Sequence, residues 1–323
     1  MIRSVPVACG HYLPERVVEN AEFAKTLDTS DEWITSRSGI KRRHFAAEGQ
    51  KTSDLAIAAA KQALENAGLD GSDIGAIVLA TATPDQTFPS TAVRVQEAIG
   101  MTGGFAFDVQ AVCAGFVFAL SQADAIIRSG QAERVMVIGA ETFSRILDFT
   151  DRSTCVLFGD GAGALILEAK EGTGESTDRG ILSTDLHSDG RYTDILYVDG
   201  GPSSTGTAGV VHMSGREVFR HAVVKLAETG QAALDRAGLD KSDVTWLVPH
   251  QANLRIMTQT ATKLGIPLEN VVVTVHDHGN TSAASIPLAM SVAAQEGRFK
   301  EGDLLLMEAI GGGLAWGAAT LRW

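Results

Sequence analysis

Three side chains in this sequence have types and settings that suit nucleophilic chemistry. Cys113 stands in "FDVQAVCAGFVFAL" at 107–120, where a strand-like run turns into a helix-like one. A thiol at a helix N-terminus feels the positive end of the dipole, which favours the thiolate. The small Ala114 and Gly115 leave room for a reactant. A packed core cysteine is the competing reading, because an unpaired cysteine behaves as a small hydrophobe. His250, in "WLVPHQANLRI", follows a strand-like run, and sites in parallel sheets collect at such strand ends. A lone histidine there also suits a satisfied core or surface role. Asn280, in "HDHGNTSAASIPLAM", lies between a glycine and small residues, as in a turn leading into a helix. Ordinary N-capping is its alternative. "AIGGGLAWG" at 309–317 offers three consecutive glycines, which suit either an anion-holding turn or a tight hairpin. "GDGAG" at 159–163 lacks the spacing of a dinucleotide fingerprint. His276 and His278 would share one strand face without a third ligand, so no metal is expected.

A cysteine, histidine and asparagine also make the papain-type set, with the histidine about 130–150 residues after the cysteine. The gap here is 137, so spacing does not exclude a protease. The motif does: "AVCAGF" lies deep in the first half, without the Cys-Gly-Ser-Cys-aromatic signature near a mature N-terminus.

The elements that must position these residues come in two copies. "ALENAGLDGSDIGAIV" at 63–78 returns as "ALDRAGLDKSDVTWLV" at 233–248, with nine of sixteen positions identical at an offset of 170. Each copy reads as a helix end, a glycine cap, a turn and an apolar strand. "FGDGAGALIL" at 158–167 and "IGGGLAWGAATL" at 310–321 extend the echo more weakly. The period is far beyond that of a solenoid, so it indicates a duplicated domain-sized unit. Helical runs ("DLAIAAAKQALENAG", "TAVRVQEAIG") alternate with strands ("AIVLATAT", "FAFDVQ", "RVMVIGA"), which predicts α/β layers around mostly parallel sheets. The halves are drawn at 1–170, carrying the cysteine, and 171–323, carrying the histidine and asparagine; the stretch 170–210 reads as an irregular junction.

The chain has 323 residues, 45% of them hydrophobic, and a formal charge of −12. That balance argues against nucleic acid or an anionic membrane as partner. "KRRH" at 41–44 reads as a solvated turn. Three cysteines form no disulfide framework, which points to a reducing compartment, and Cys9 and Cys155 read as core. Neither a signal peptide nor a membrane span is evident, so a cytoplasmic protein is expected.

"TSDEWITSRSGIKRRH", "AVCAGF", "TDRSTCVLFGDGAG", "VPHQANLRI", "HGNTSAAS" and "EAIGGGLAWG", in that order, resemble the β-ketoacyl-acyl-carrier-protein synthase III family over nearly the whole chain. The resemblance implies the thiolase-like five-layered αβαβα fold, and a homodimer that condenses a short acyl-CoA with malonyl-acyl carrier protein. By the same resemblance Cys113 carries the acyl group, and the backbone N–H groups of Cys113 and Gly312 hold the oxyanion. His250 and Asn280 donate to the malonyl carbonyl as CO₂ leaves. Trp33, Arg37, Arg152 and Asn253 would contact CoA. Phe143, Ile310 and Leu314 would border the acyl group, and Arg220, Arg255 and Lys263 would receive the carrier protein. No cofactor is implied, since loss of CO₂ drives the carbon–carbon bond.

Within that fold, a thiolase would need a second cysteine near the last glycine-rich turn, and "GGGLAWG" has none. Elongating synthases use two histidines where this chain has His250 and Asn280. An acyltransferase of secondary metabolism, passing the acyl group to an amine or alcohol, is the alternative. Ile310 and Leu314 replace phenylalanines common in the family, and Arg216 follows Gly215 where a smaller polar residue is usual. These departures leave acetyl as the default primer, with propionyl, branched or longer groups open.

Overall fold

The computed structural model describes residues 1–323. The expected first helix forms as Thr52–Ala67, with Leu55, Ala56, Ala59, Ala60 and Ala63 on its buried face. It stops at Gly68, whose φ of 64° is left-handed; the echoing helix Gly215–Ala237 stops at Gly238, φ 67°. Glycine adopts that cap without the strain a Cβ brings. The same offset of 170 then relates the 3₁₀ turns Gly71–Asp73 and Lys241–Asp243, and the strands starting at Ala76 and Trp246.

Two sheets share one topology. The first runs Ile2–Tyr12, Gly161–Glu171, Arg134–Glu141, Ala76–Ala80, Phe105–Val109. The second runs Gly180–Ser188, Ala315–Arg322, Leu304–Gly311, Trp246–Pro249, and a parallel bridge from Leu247 to Val271 takes the fifth place. The expected mostly parallel sheets need correction. In each sheet the first two pairings are antiparallel and the rest parallel. The cause in the second sheet is the 311–315 turn, a hairpin joining Leu304–Gly311 to Ala315–Arg322.

The helices Gly115–Arg128 and Ser285–Gln295 lie between the sheets. Phe116, Leu120, Ile286 and Met290 pack there with Val78 and Val137 of one sheet and Leu305 and Met307 of the other. Burying each such side chain contributes about 1.5–3 kcal/mol, so this seam holds the halves together. Thr52–Ala67 and Thr91–Ala98 cover the outer face of the first sheet, against Ile77 and Met136. Gly215–Ala237 and Leu254–Leu264 cover the second, against Leu247 and Leu306. The result is five layers, αβαβα.

Three local expectations are overturned. "KRRH" is no solvated turn: Arg42–Phe45 is a strand paired with Arg16–Glu19. Strand alternation turns Arg43 inward, where it is fully buried and donates to the carbonyls of Val18 and Val156. The 170–210 stretch contributes the edge strand Gly180–Ser188 and the small strand Leu196–Val198. "HDH" lies in a short helix, Val275–His278, instead of a strand. No helix is long and apolar enough to cross a membrane.

Candidate active site

Cys113 sits in the 3₁₀ turn Val112–Ala114 that opens the central helix Gly115–Arg128. Its echo, 170 residues on, is the turn Ser282–Ala284 that opens Ser285–Gln295. Val112 and Ser282, at equivalent positions, are the two non-glycine residues with positive φ, 48° and 50°. Strain repeated at both elbows shows that the turn geometry is imposed by the surrounding packing. The elbows face each other: a Cβ on Gly115 would lie 3.4 Å from the Ala283 Cβ.

Residues 280–285 join the three chemical side chains. Asn280 Oδ1 accepts from the Ser282 N–H at 2.9 Å. Ser282 lies beside the Cys113 thiol. Ser285 Oγ meets His250 Nδ1 at 2.7 Å and also accepts from the Gln251 N–H at 3.3 Å. The Ser285 hydroxyl bonds to no other acceptor that could take its proton, so it donates to Nδ1, which leaves the His250 proton on Nε2. Asn280 likewise keeps its amide donors free, because its carbonyl oxygen is the engaged atom. His250 sits just past the strand Trp246–Pro249, held by its N–H to the Glu308 carbonyl at 2.8 Å.

Burial fixes the charge states. Cys113, His250 and Asn280 are 4%, 4% and 6% exposed. Burial lowers the His250 pKa to about 3, so the imidazole is neutral near pH 7. Burial pushes the resting Cys113 thiol up to about 12, with the nearby Glu141 carboxyl adding to the rise. The dipole of the helix therefore does not by itself make a thiolate. Cys9 and Cys155 are buried and free, as expected, and burial raises both thiols.

A cleft of about 870 Å³ is lined by Val112, the residue before Cys113, and by Phe143, Ile146, Leu196 and Gly312, whereas Cys113, His250 and Asn280 themselves do not line it. Phe143 stacks on Phe158 at 4.6 Å. Ile310 and Leu314 do not line this cleft. They pack with Ala222, Leu226 and Ile256 under the helix Gly215–Ala237. The structure therefore separates the three expected acyl neighbours. A Cβ on Gly311 would stand 2.6 Å from the Cys113 nitrogen, and one on Gly312 2.6 Å from the Leu196 carbonyl oxygen. No backbone carbonyl accepts from the Gly312 N–H.

Trp33, Arg37 and Arg152 come together: both guanidinium carbons lie over the indole, at 4.7 and 5.1 Å. Asn253 caps the helix Leu254–Leu264, its Oδ1 accepting from the Ile256 N–H at 2.9 Å. Arg220, Arg255 and Lys263 are exposed on the two packed outer helices of the second half.

The comparisons with known proteins agree with this geometry. Residues 107–190 match the family model 3-Oxoacyl-[acyl-carrier-protein (ACP)] synthase III, and 234–323 match the model of its C-terminal part. A β-ketoacyl-[acyl-carrier-protein] synthase III of Ruegeria sp. (strain TM1040) is 68% identical over 321 residues, covering 99% of both chains. The chain belongs to the β-ketoacyl-acyl-carrier-protein synthase III family. A second synthase III, from Paracoccus denitrificans (strain Pd 1222), is 67% identical over 100% of both chains. The crystal structure of the Aquifex aeolicus VF5 synthase III superposes with a TM-score of 0.93 at 45% identity, covering 99% of this chain and 100% of that one. These solved synthase III neighbours establish the thiolase-like fold that the motifs implied.

Sequence reasoning missed the residues that hold this synthase III site in place. Ser285 orients His250. Gln251, 1% exposed, spends its side chain on four backbone groups: it donates to Pro249 and Val272 and accepts from Thr274 and Val275. Glu141 ends the strand Arg134–Glu141, fully buried. Buried polar residues at the ends of apolar strands were the available signal.

Proposed function

We propose that the chain performs the initiating condensation of fatty acid synthesis through an acyl-cysteine at Cys113. The thiolate attacks a short acyl-CoA, acetyl-CoA by default, while the N–H groups of Cys113 and Gly312 hold the oxyanion. CoA leaves and malonyl-acyl carrier protein enters. His250 Nε2–H and the Asn280 amide donate to the malonyl thioester oxygen. As CO₂ departs, the developing enolate charge falls on those donors, and its carbon attacks the acyl-cysteine to give 3-oxoacyl-carrier protein.

One observation carries this reading. The acceptor atoms of both His250 and Asn280 are occupied by protein partners, which leaves two neutral donors. Neutral donors aimed at developing negative charge are what decarboxylation requires; one is worth about 2.7–4 kcal/mol. The Trp33–Arg37–Arg152 cluster supports adenine and phosphate binding, because flat cations and indoles suit a purine. Asn253 would reach pantetheine through its free amide, and Phe143 would border the acyl chain. On a chain of charge −12, the exposed Arg220, Arg255 and Lys263 suit an acidic carrier protein. The halves 1–170 and 171–323, a homodimer, a cytoplasmic setting and the absence of a cofactor belong to the same proposal. The alternative acyltransferase is not favoured, since full-length relatives at 66–68% identity are named synthase III.

Incubation with acetyl-CoA and malonyl-acyl carrier protein should yield acetoacetyl-carrier protein and CO₂. Acetyl-labelled enzyme without condensed product would refute the proposal.

A further inference from the structure

The resting Cys113 thiol lies far from ionisation at neutral pH, and His250 is too poor a base to take its proton. A second buried group stands nearby. Glu141, 0% exposed, has its carboxylate held by the Ala82 N–H at 3.1 Å and by the Thr83 and Thr81 hydroxyls at 2.6 and 3.3 Å. The remaining groups around it, Ser282 and the Ala283 N–H, are neutral, and Cys113 is the ionisable side chain it acts on. The turn Ser282–Ala284 packs against the strand Arg134–Glu141, where a Cβ on Gly139 would stand 2.2 Å from the Ala283 carbonyl oxygen, and against the Val112–Ala114 turn that carries the thiol. The Ser282 hydroxyl is fully buried and has no hydrogen-bond partner, and it favours the ionised forms of Cys113 and Glu141. A buried hydroxyl without a partner calls for an explanation. Its backbone is the strained one, φ 50°, that the second elbow imposes.

We propose that Glu141 accepts the Cys113 proton through Ser282 when the thiol is acylated. Cys113 Sγ–H gives its proton to Ser282 Oγ as the Ser282 O–H proton passes to a Glu141 oxygen. The thiolate attacks the acyl-CoA carbonyl, and the C–S bond to CoA breaks. The departing CoA thiolate then recovers the proton from Glu141 by the reverse relay, so acyl-CoA and thiol become acyl-cysteine and CoA thiol. The pocket holds one negative charge before and after the transfer. A thiolate beside a carboxylate would place two charges in a buried site, whereas moving the proton relocates a single one. Burial raises Glu141 to about 7, which suits a group that must both accept and return a proton near neutrality.

This inference rests on the acyl-cysteine reading, so the test uses iodoacetamide, which reports thiol activation without any acyl donor. In the wild type the alkylation rate of Cys113 should rise with pH through about 7. Glu141→Gln, which keeps the acceptor for the Ala82 N–H, should remove that limb and slow both alkylation and acetyl transfer at pH 7 by about 10²–10⁴-fold. Glu141→Asp should restore the limb in part. Ser282→Ala breaks the relay while leaving the carboxylate in place, and should lose the limb as well. Wild-type alkylation profiles in folded Glu141→Gln and Ser282→Ala would overturn the relay. Failure of the condensation assay with the alkylation limb intact would instead count against the acyl-cysteine reading.

Discussion

Replacing Asn280 by Asp tests the demand for neutral donors at a single atom. The Asp carboxylate keeps the Oδ1 that accepts from the Ser282 N–H at 2.9 Å, so the elbow is preserved. The other atom changes from an N–H donor to an oxygen. Loss of the donor costs about 2.7–4 kcal/mol of transition-state stabilisation. A carboxylate about 4 Å from the enolate oxygen adds about 4 kcal/mol of repulsion at an effective dielectric of 20. Together these amount to about five orders of magnitude in rate. The residue is 6% exposed, so burial favours the protonated acid, which can donate again. CO₂ release by Asn280→Asp should therefore fall steeply at pH 8 and recover as pH drops, whereas Asn280→Ala should show no such recovery. Acetyl transfer from acetyl-CoA should persist in both. Release of CO₂ within tenfold of wild type at pH 8, or equal loss of both half-reactions in a folded protein, would refute the reasoning.

Three further outcomes follow from the geometry. Gly311→Ala places a Cβ 2.6 Å from the Cys113 nitrogen and 2.9 Å from the Ala111 carbonyl oxygen, so it should lower stability by an overpacking cost of about 1–3 kcal/mol, read as a lower Tm, and abolish acetyl transfer. Both oxygens of the fully buried Glu308 lack partners, and burial raises its pKa from 4.5 to about 8. The unfolded chain gives up this proton near 4.5 and the folded chain only near 8, so stability falls as pH rises between them; Glu308→Gln should raise Tm at pH 8 relative to wild type but not at pH 4. Trp33→Ala removes the stacking face, worth about 1–3 kcal/mol per base, and should raise KM for acetyl-CoA about 5- to 150-fold with kcat unchanged.

Much of this was legible because the fold is written twice. The "AGLD" caps at Gly68 and Gly238 announce the 170-residue offset, and that offset carries through to the paired elbows at Val112 and Ser282. The second elbow is harder to see, because "NTSAAS" and "QAVCAG" share little beyond small residues; backbone strain, not side-chain identity, is what repeats. Strand direction was not legible either. A buried strand is apolar on both faces whether its neighbour is parallel or antiparallel, so the pattern of Gly161–Glu171 does not betray its two antiparallel neighbours. Arg43 defeated a composition-based reading, for a basic run looks solvated until alternation on a strand turns one member inward. Glu141 carried only the signal of a polar residue ending an apolar strand, and Ser285 not even that, because a single buried polar residue takes its meaning from neighbours that are distant in sequence.

The most direct test follows one acetyl group. Enzyme is mixed with labelled acetyl-CoA, quenched and digested, and the labelled peptide is mapped before and after a chase with malonyl-acyl carrier protein. The label should sit on Cys113 in the wild type and in His250→Ala, and the chase should move it to acetoacetyl-carrier protein in the wild type alone. Label on any other residue, or an efficient chase in His250→Ala, would contradict the account.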